Sequence, residues 1–145
     1  MYKIAIIEEI HEEGIKLLKG NPNFEYEIIS DVSEKNLIKK LPEFDGCSLR
    51  ISNLTSKILK NCKKLKVISR HGVGYNNVDL EYLKKNNISL MITNNANQIS
   101  VAEHVIYMML TISKGMGSHD KSVREGLFNK GIINVVSFEL QKKKF

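Results

Sequence analysis

Short apolar runs alternate with helix-forming segments five times in the first 92 residues, and this alternation constrains the fold more than any other feature. Buried strands give short apolar runs, whereas amphipathic helices place apolar residues three and four positions apart. Repeated strand–helix units predict right-handed crossovers and a parallel sheet with helices on both faces. We therefore predict an α/β domain over residues 1–97, with a flavodoxin-like five-stranded parallel sheet of order 2-1-3-4-5. The segments that predict strands are 3–7, 24–29, 46–51, 65–69 and 88–92, of which 24–29 alternates and predicts a half-buried strand.

Most of the intervening helices have recognisable starts. The first is predicted over residues 9–19 and ends before a Gly-Asn-Pro sequence. Ser33, Thr55 and Asp79 are suitable N-caps for the next three, because their side-chain oxygens can accept hydrogen bonds from the first free N–H groups.

Charge and composition exclude several classes of protein. The 145 residues carry a net charge of +6, which permits an anionic ligand, but the lysines lie mostly in pairs and form one run only, at 142–144. Without aromatic platforms or a nucleic-acid-binding motif, we expect no nucleic-acid partner. No stretch approaches the roughly 20 apolar residues of a membrane span. Cys47 and Cys62 lack metal-ligand spacing, which predicts reduced core thiols in a cytoplasmic protein.

A glycine turn follows the fourth predicted strand. Gly72-Val73-Gly74 lies between that strand and the helix that begins after Asp79, and Arg70 stands two residues before the turn. Glycines allow a sharp turn and a close approach of backbone N–H groups to a ligand. Together with a guanidinium, these donors suit a carboxylate or a phosphate. The alternative interpretation is a tight strand-to-helix turn beside a surface arginine.

Several polar segments fall at the same edge of the predicted sheet. Arg50 follows the third strand, Arg70 and residues 72–74 follow the fourth, and residues 94–97 follow the fifth. Ligands of doubly wound sheets bind at the carboxyl ends of the strands. We therefore expect the site at this edge.

The segment after residue 97 has a different character. Ser100 and Glu103 form a capping-box pattern, and the positions after them are apolar on nearly every side. This pattern predicts a long apolar helix that is buried all round. His104 interrupts it, and as a lone histidine it is interpreted as structural. Residues 132–138 could form one more extended piece.

These blocks, in this order, resemble the D-isomer-specific 2-hydroxyacid dehydrogenases, and especially phosphoglycerate dehydrogenase and its hydroxypyruvate and glyoxylate reductase relatives. The resemblance covers essentially the whole chain. The blocks that carry it are Arg50, Val-Ile-Ser-Arg-His-Gly-Val-Gly-Tyr-Asn-Asn-Val-Asp at 67–79, Asn-Ala-Asn at 95–97, Ser-Val-Ala-Glu-His at 100–104 and Phe-Glu-Leu at 138–140.

The resemblance implies a two-domain oxidoreductase that moves hydride between NAD(P)H and a 2-keto acid. It implies that Gly72, Val73 and Gly74 offer amides to the carboxylate of a small 2-keto or 2-hydroxy acid, that Arg50 and Arg70 lie near its far, sometimes phosphorylated, end, and that Asn97 lines the same site. It also implies that the helix after Ser100 crosses into a nucleotide-binding domain, of which residues 98–145 hold a truncated beginning. Since most of its cover would then be absent, we expect a homodimer through residues 100–112.

The departures from the family pattern concern the cofactor and the catalytic residues. In the family, the glycine-rich phosphate loop and the catalytic Arg, Glu and His come after the position of Phe145, and Asn77 stands where Gly72 and Gly74 would need a third glycine. The resemblance therefore predicts an inactive truncated chain that binds no NAD(P) tightly.

Two alternatives remain open. One is a non-catalytic module that binds small anions or has a regulatory role. The other is a receiver-like signalling domain, for which Glu8 and Glu9 supply an acidic cluster but Arg50 replaces the phosphoacceptor Asp expected near the end of the third strand.

Overall fold

The structure, a computed structural model, describes residues 1–127 and 137–141. It divides into two compact units, residues 1–96 and 97–145. The predicted extended piece at 132–138 lies mostly outside the described residues. The elements are β1 Tyr2–Ile7, α1 Glu12–Lys19, β2 Phe24–Ile29, α2 Glu34–Lys40, a 3₁₀ turn Leu41–Glu43, β3 Gly46–Leu49, α3 Ser56–Leu59, β4 Val67–Arg70, α4 Leu80–Lys85, β5 Ser89–Ile92, α5 Gln98–Ser113 and α6 Met116–Arg124.

The first unit is a five-stranded parallel sheet of order β2-β1-β3-β4-β5. The predicted sheet and its strand order are confirmed. The boundaries differ slightly, because the third strand ends at Leu49 instead of Ile51 and the fourth runs on to Arg70. At the start of α1, the imidazole of His11 accepts a hydrogen bond from the N–H of Glu13, so the helix begins three residues later than predicted.

The main core lies on one face of the sheet. Side chains alternate along a strand, so every second residue of β1, β3 and β4 points to this face. These residues pack against α2, α3 and α4, and each fully buried aliphatic side chain contributes about 1.5–3 kcal/mol. The shared core includes Ala5, Ile7, Cys47, Leu49 and Ile68 from the strands and Leu37, Ile58 and Leu83 from the helices. Both cysteines are buried and free.

The opposite face is covered by α1. Ile10, Gly14 and Leu18 line one cavity together with Ile4 and Gly46 of the sheet. A side chain at Gly46 would be crowded here, because a Cβ atom would lie 3.1 Å from a methyl group of Val67 and 3.2 Å from the δ-methyl of Ile4. Leu17 of the same helix is 79% exposed.

The second unit differs from the prediction. The predicted long apolar crossing helix is wrong. The assignment of residues 98–145 to the beginning of a nucleotide-binding domain stays a prediction. Among the described residues, two separate helices of 16 and 9 residues follow residue 97, and α5 ends because Gly115 takes the left-handed conformation, with φ 60°. Only Ser113 of α5 is buried, and within the described part of the chain no helix is long and apolar enough to span a membrane.

The start of α5 also differs. The capping box at Ser100 is not formed, because the helix already begins at Gln98 and Ser100 lies inside its first turn. Asn97 is the N-cap residue, and its side chain accepts no capping hydrogen bond from the helix. His104 is exposed, and its ring lies 5.9 Å from that of Tyr107.

Candidate functional site

The carboxyl ends of β3, β4 and β5 meet at the glycine turn. Leu49 is the register partner of Arg70, and the N–H of His71 donates to the carbonyl of Leu49 over 2.7 Å. On the other side, the N–H of Thr93 donates to the carbonyl of Gly72 over 3.2 Å. The turn is therefore fixed between both neighbouring strands.

The backbone conformation of the turn requires glycine at position 72. Its φ is +144°, a conformation that L side chains rarely adopt. A Cβ atom there would also lie 1.5 Å from Nη1 of Arg70. Gly74 has neither constraint, since its φ is not positive and nothing lies within 4 Å of an added Cβ.

The turn leaves consecutive backbone donors open. Among residues 1–127 and 137–141, no hydrogen bond occupies the N–H groups of Val73 and Gly74. Both residues are exposed. Neighbouring backbone N–H groups beside a glycine with a positive φ form a concavity that suits an anionic oxygen.

Arg70 lies over this turn. Its guanidinium Nη1 donates to the carbonyl of His71, and the side chain is half-buried. Its Nε is buried and has no hydrogen-bond partner among the described residues. The positive charge of Arg70 is thus held directly beside Gly72, in the same turn as the open N–H groups of Val73 and Gly74.

Arg50 is exposed and follows β3 directly, on a link that runs to Leu54. This link is held by Glu8, whose carboxylate accepts from the N–H of Ile51 over 2.7 Å and from the hydroxyl of Ser52 over 3.0 Å. The side-chain amide of Asn77 donates to the carbonyl of Ser52 over 2.8 Å.

The structural roles of Glu8 and Asn77 are not apparent from the sequence pattern alone. In the sequence, Glu8 is notable only as part of an acidic pair with Glu9, and Asn77 only because it stands where a phosphate loop would have its third glycine. The signal for Glu8 was available, because a carboxylate that ends β1 lies beside the end of β3 in the predicted strand order.

The six predicted site residues fall into three groups. Arg70, Gly72, Val73 and Gly74 form one turn, and Arg50 follows the adjacent strand at the same edge. Asn97 belongs to the second unit, where it precedes α5.

A cavity of about 300 Å³ opens beside the same edge. Its lining is mostly apolar and is formed by Ile10, His11, Gly14, Ser48, Ser69, His71 and Thr93. No group of three His, Cys, Asp or Glu that could hold a metal ion occurs in the described ranges.

The glycine turn does not fit the pyrophosphate of a dinucleotide. The helix after it, α4, has only six residues, and its N-terminus is already capped by the carboxylate of Asp79, which accepts from the N–H of Tyr82 over 3.0 Å. A pyrophosphate needs that helix terminus free and a third glycine for close approach. Asn77 stands where the third glycine would be, and its side-chain amide donates to the carbonyl of Ser52.

Comparison with known proteins identifies the family of the chain. Residues 4–142 match the model of the D-isomer specific 2-hydroxyacid dehydrogenase catalytic domain. The chain belongs to the D-isomer specific 2-hydroxyacid dehydrogenase family. The resemblance derived from its motifs is thereby confirmed.

Curated relatives of this dehydrogenase-family chain are longer than the chain itself. It is 30% identical over 129 residues to D-3-phosphoglycerate dehydrogenase of Archaeoglobus fulgidus, covering 88% of this chain and 24% of that protein. It is 30% identical over 131 residues to hydroxypyruvate reductase of Thermotoga maritima, covering 89% of this chain and 42% of the reductase.

Solved structures give the same picture. A protein of Pyrococcus horikoshii superimposes with a TM-score of 0.80 at 27% identity, over 90% of this chain and 39% of that one. D-lactate dehydrogenase of Aquifex aeolicus, solved with NAD and lactic acid, gives 0.78 at 23% identity, over 94% and 41%. At that identity the second likeness supports the fold alone.

Proposed function

We propose that residues 1–97 form the substrate-binding domain of an NAD(P)-dependent D-2-hydroxyacid dehydrogenase and bind a small 2-keto or 2-hydroxy acid, which could carry a phosphate. In this proposal the N–H groups of Val73 and Gly74 receive the substrate carboxylate, with Gly72 shaping the turn. Arg50 and Arg70 attract its second anionic end, and Asn97 contributes from the segment after the sheet.

The observation that carries the proposal is the turn itself. Open N–H groups follow a glycine with φ +144°, and a guanidinium is held beside them. Charge-assisted hydrogen bonds from such donors to a carboxylate are stronger than neutral ones. Membership of the dehydrogenase family supplies the substrate class.

In this proposal the described residues bind and orient the small acid. We propose that the chain does not hold NAD(P) tightly, because Asp79 and Asn77 occupy the positions that a pyrophosphate would need. A non-catalytic anion-binding module remains the second candidate, since the same turn would serve it equally well.

Titration of the ¹⁵N-labelled chain with D-3-phosphoglycerate tests the proposal. The amide shifts should cluster at residues 70–76, with an affinity on the order of millimolar, or about 4 kcal/mol. Arg70→Ala should weaken binding, whereas Lys19→Ala, which removes the same charge at the far end of α1, should not. Shifts that cluster elsewhere, or equal effects of the two variants, would contradict the assignment.

We also propose that the chain forms a homodimer through α5. Its apolar side chains are exposed on several sides, with Ile99 70%, Ile106 57% and Ile112 68% exposed. Contiguous apolar patches of this kind are rare on soluble monomers. Light scattering after size exclusion should give a dimer at micromolar concentration, and Ile106→Lys, at an exposed position, should shift it towards monomer. A monomer for the unmodified chain would refute this.

A further inference from the structure

The link that carries Arg50 is held in place from β1. The carboxylate of Glu8 accepts two hydrogen bonds from it, one from the N–H of Ile51 and one from the hydroxyl of Ser52, over 2.7 and 3.0 Å. Both acceptor oxygens are used, so the carboxylate fixes two successive residues at once. Arg50 is the residue immediately before them.

The same link is held on its other side by the segment after the glycine turn. Besides the bond from Asn77 to the carbonyl of Ser52, the N–H of Leu54 donates to the carbonyl of Asn77 over 2.8 Å. The N–H of Asp79 donates to the carbonyl of Leu54 over 3.2 Å. The Arg50 link and the glycine turn are therefore joined into one hydrogen-bonded unit.

Two features of Glu8 are unfavourable by themselves. Its φ is 70°, a left-handed conformation that is uncommon for residues other than glycine, asparagine and aspartate. Its negative charge also lies at the edge where an anion is proposed to bind, and a like charge weakens anion binding. The two hydrogen bonds that Glu8 accepts from the Arg50 link are the favourable interactions that offset these costs.

We propose that Glu8 is a positioning residue for the substrate: it fixes the Arg50 link against β1 so that the guanidinium of Arg50 meets the far anionic end of the bound acid. This inference rests on the proposed function, because Arg50 is assigned to the substrate there. Asn77 has the matching role from the side of the glycine turn.

The sign of the effect separates positioning from electrostatics. If Glu8 acted only through its charge, Glu8→Ala would strengthen the binding of D-3-phosphoglycerate. If Glu8 positions Arg50, Glu8→Ala should weaken binding about fivefold, the equivalent of roughly one net hydrogen bond. Glu9→Gln is the matched control: this neighbour is exposed and its substitution removes the same charge, so binding should stay equal or tighten slightly.

Conservative variants test the hydrogen bonds directly. Glu8→Gln keeps an oxygen that can accept from Ile51 and an amide that can donate to Ser52, so it should restore much of the affinity lost in Glu8→Ala. Ser52→Ala removes one of the two contacts and should give an intermediate loss. It also keeps the test available if Glu8→Ala does not fold. Hydrogen exchange of the Ile51 amide should accelerate in Glu8→Ala and not in Glu9→Gln.

The outcomes distinguish this inference from the proposed function. If the unmodified chain does not bind D-3-phosphoglycerate, the proposed function fails, and unchanged Ile51 exchange in Glu8→Ala would independently overturn the anchoring. If binding is present and Arg50→Ala weakens it, but Glu8→Ala matches Glu9→Gln, the positioning role is refuted. Weakened binding in Glu8→Ala with recovery in Glu8→Gln supports it.

Discussion

Replacing Gly72 with alanine should destabilise the sheet unit through the backbone of the turn. The φ of +144° is outside the range that alanine adopts without strain, and such a conformation costs about 1–3 kcal/mol. The residue cannot easily relax, because its N–H donates to the carbonyl of Arg70 and its carbonyl accepts from Thr93, over 3.0 and 3.2 Å. Gly72→Ala should therefore unfold at a urea concentration lower by about 1 M.

Gly74→Ala is the matched control in the same turn. No heavy atom lies within 4 Å of its added Cβ, and its φ is not positive. Such a substitution should be neutral or stabilise by about 0.4–1 kcal/mol, because it restricts the unfolded chain. Urea unfolding followed by circular dichroism compares the two variants under identical conditions. Equal midpoints would refute the argument that this turn requires glycine at position 72.

A second background separates strain from steric contact. The added Cβ would meet Nη1 of Arg70 at 1.5 Å, but a guanidinium at the end of a flexible side chain can move away. The loss caused by Gly72→Ala should therefore persist in an Arg70→Ala background, with a coupling below about 1 kcal/mol. If the loss disappears in that background, the contact with Arg70 and not the φ angle is its cause.

Three further outcomes are expected. Burial, together with the nearby Cys62, raises the pKa of the Cys47 thiol, and burial raises the pKa of the Cys62 thiol to about 11. Iodoacetamide at pH 8 should therefore label both cysteines slowly until urea unfolds the chain. Because an unfolded thiol ionises near pH 9, their contribution to stability is complete below that pH and declines as the pH rises towards 11, and the urea midpoint should fall over this range. NADH fluorescence should give no dissociation constant in the low micromolar range, and tight binding would contradict the proposal that the chain does not hold NAD(P) tightly. Leu49→Ala, at a fully buried position, should cost about 2–5 kcal/mol in urea unfolding, while Leu17→Ala, at a position 79% exposed, should be nearly neutral.

The sheet could be predicted because its determinants are local. Each strand has an apolar or alternating pattern, each connection contains a helix, and the right-handed crossover rule leaves few strand orders. The helices α1, α2 and α4 have N-cap side chains that accept a hydrogen bond, whereas Thr55 before α3 makes none. The second unit could not be predicted in the same way. An apolar sequence indicates that a helix needs cover, but the end of α5 depends on the conformation of Gly115, and the exposure of its side chains depends on tertiary contacts.

The candidate site shows the same division between local and non-local information. The glycine turn is visible in the sequence because glycine at position 72 is itself the signal for an unusual φ angle. The conformation of Arg70 is not, since the same residue could extend towards a ligand or fold over Gly72, and the choice depends on the carbonyl of His71. Glu8 lies 42 positions from Arg50 in sequence, and only the pairing of β1 with β3 brings the carboxylate to the residues after that arginine. The glycine turn is therefore recognisable from sequence, whereas the hydrogen bonds of Glu8 become recognisable only when the strand order is known.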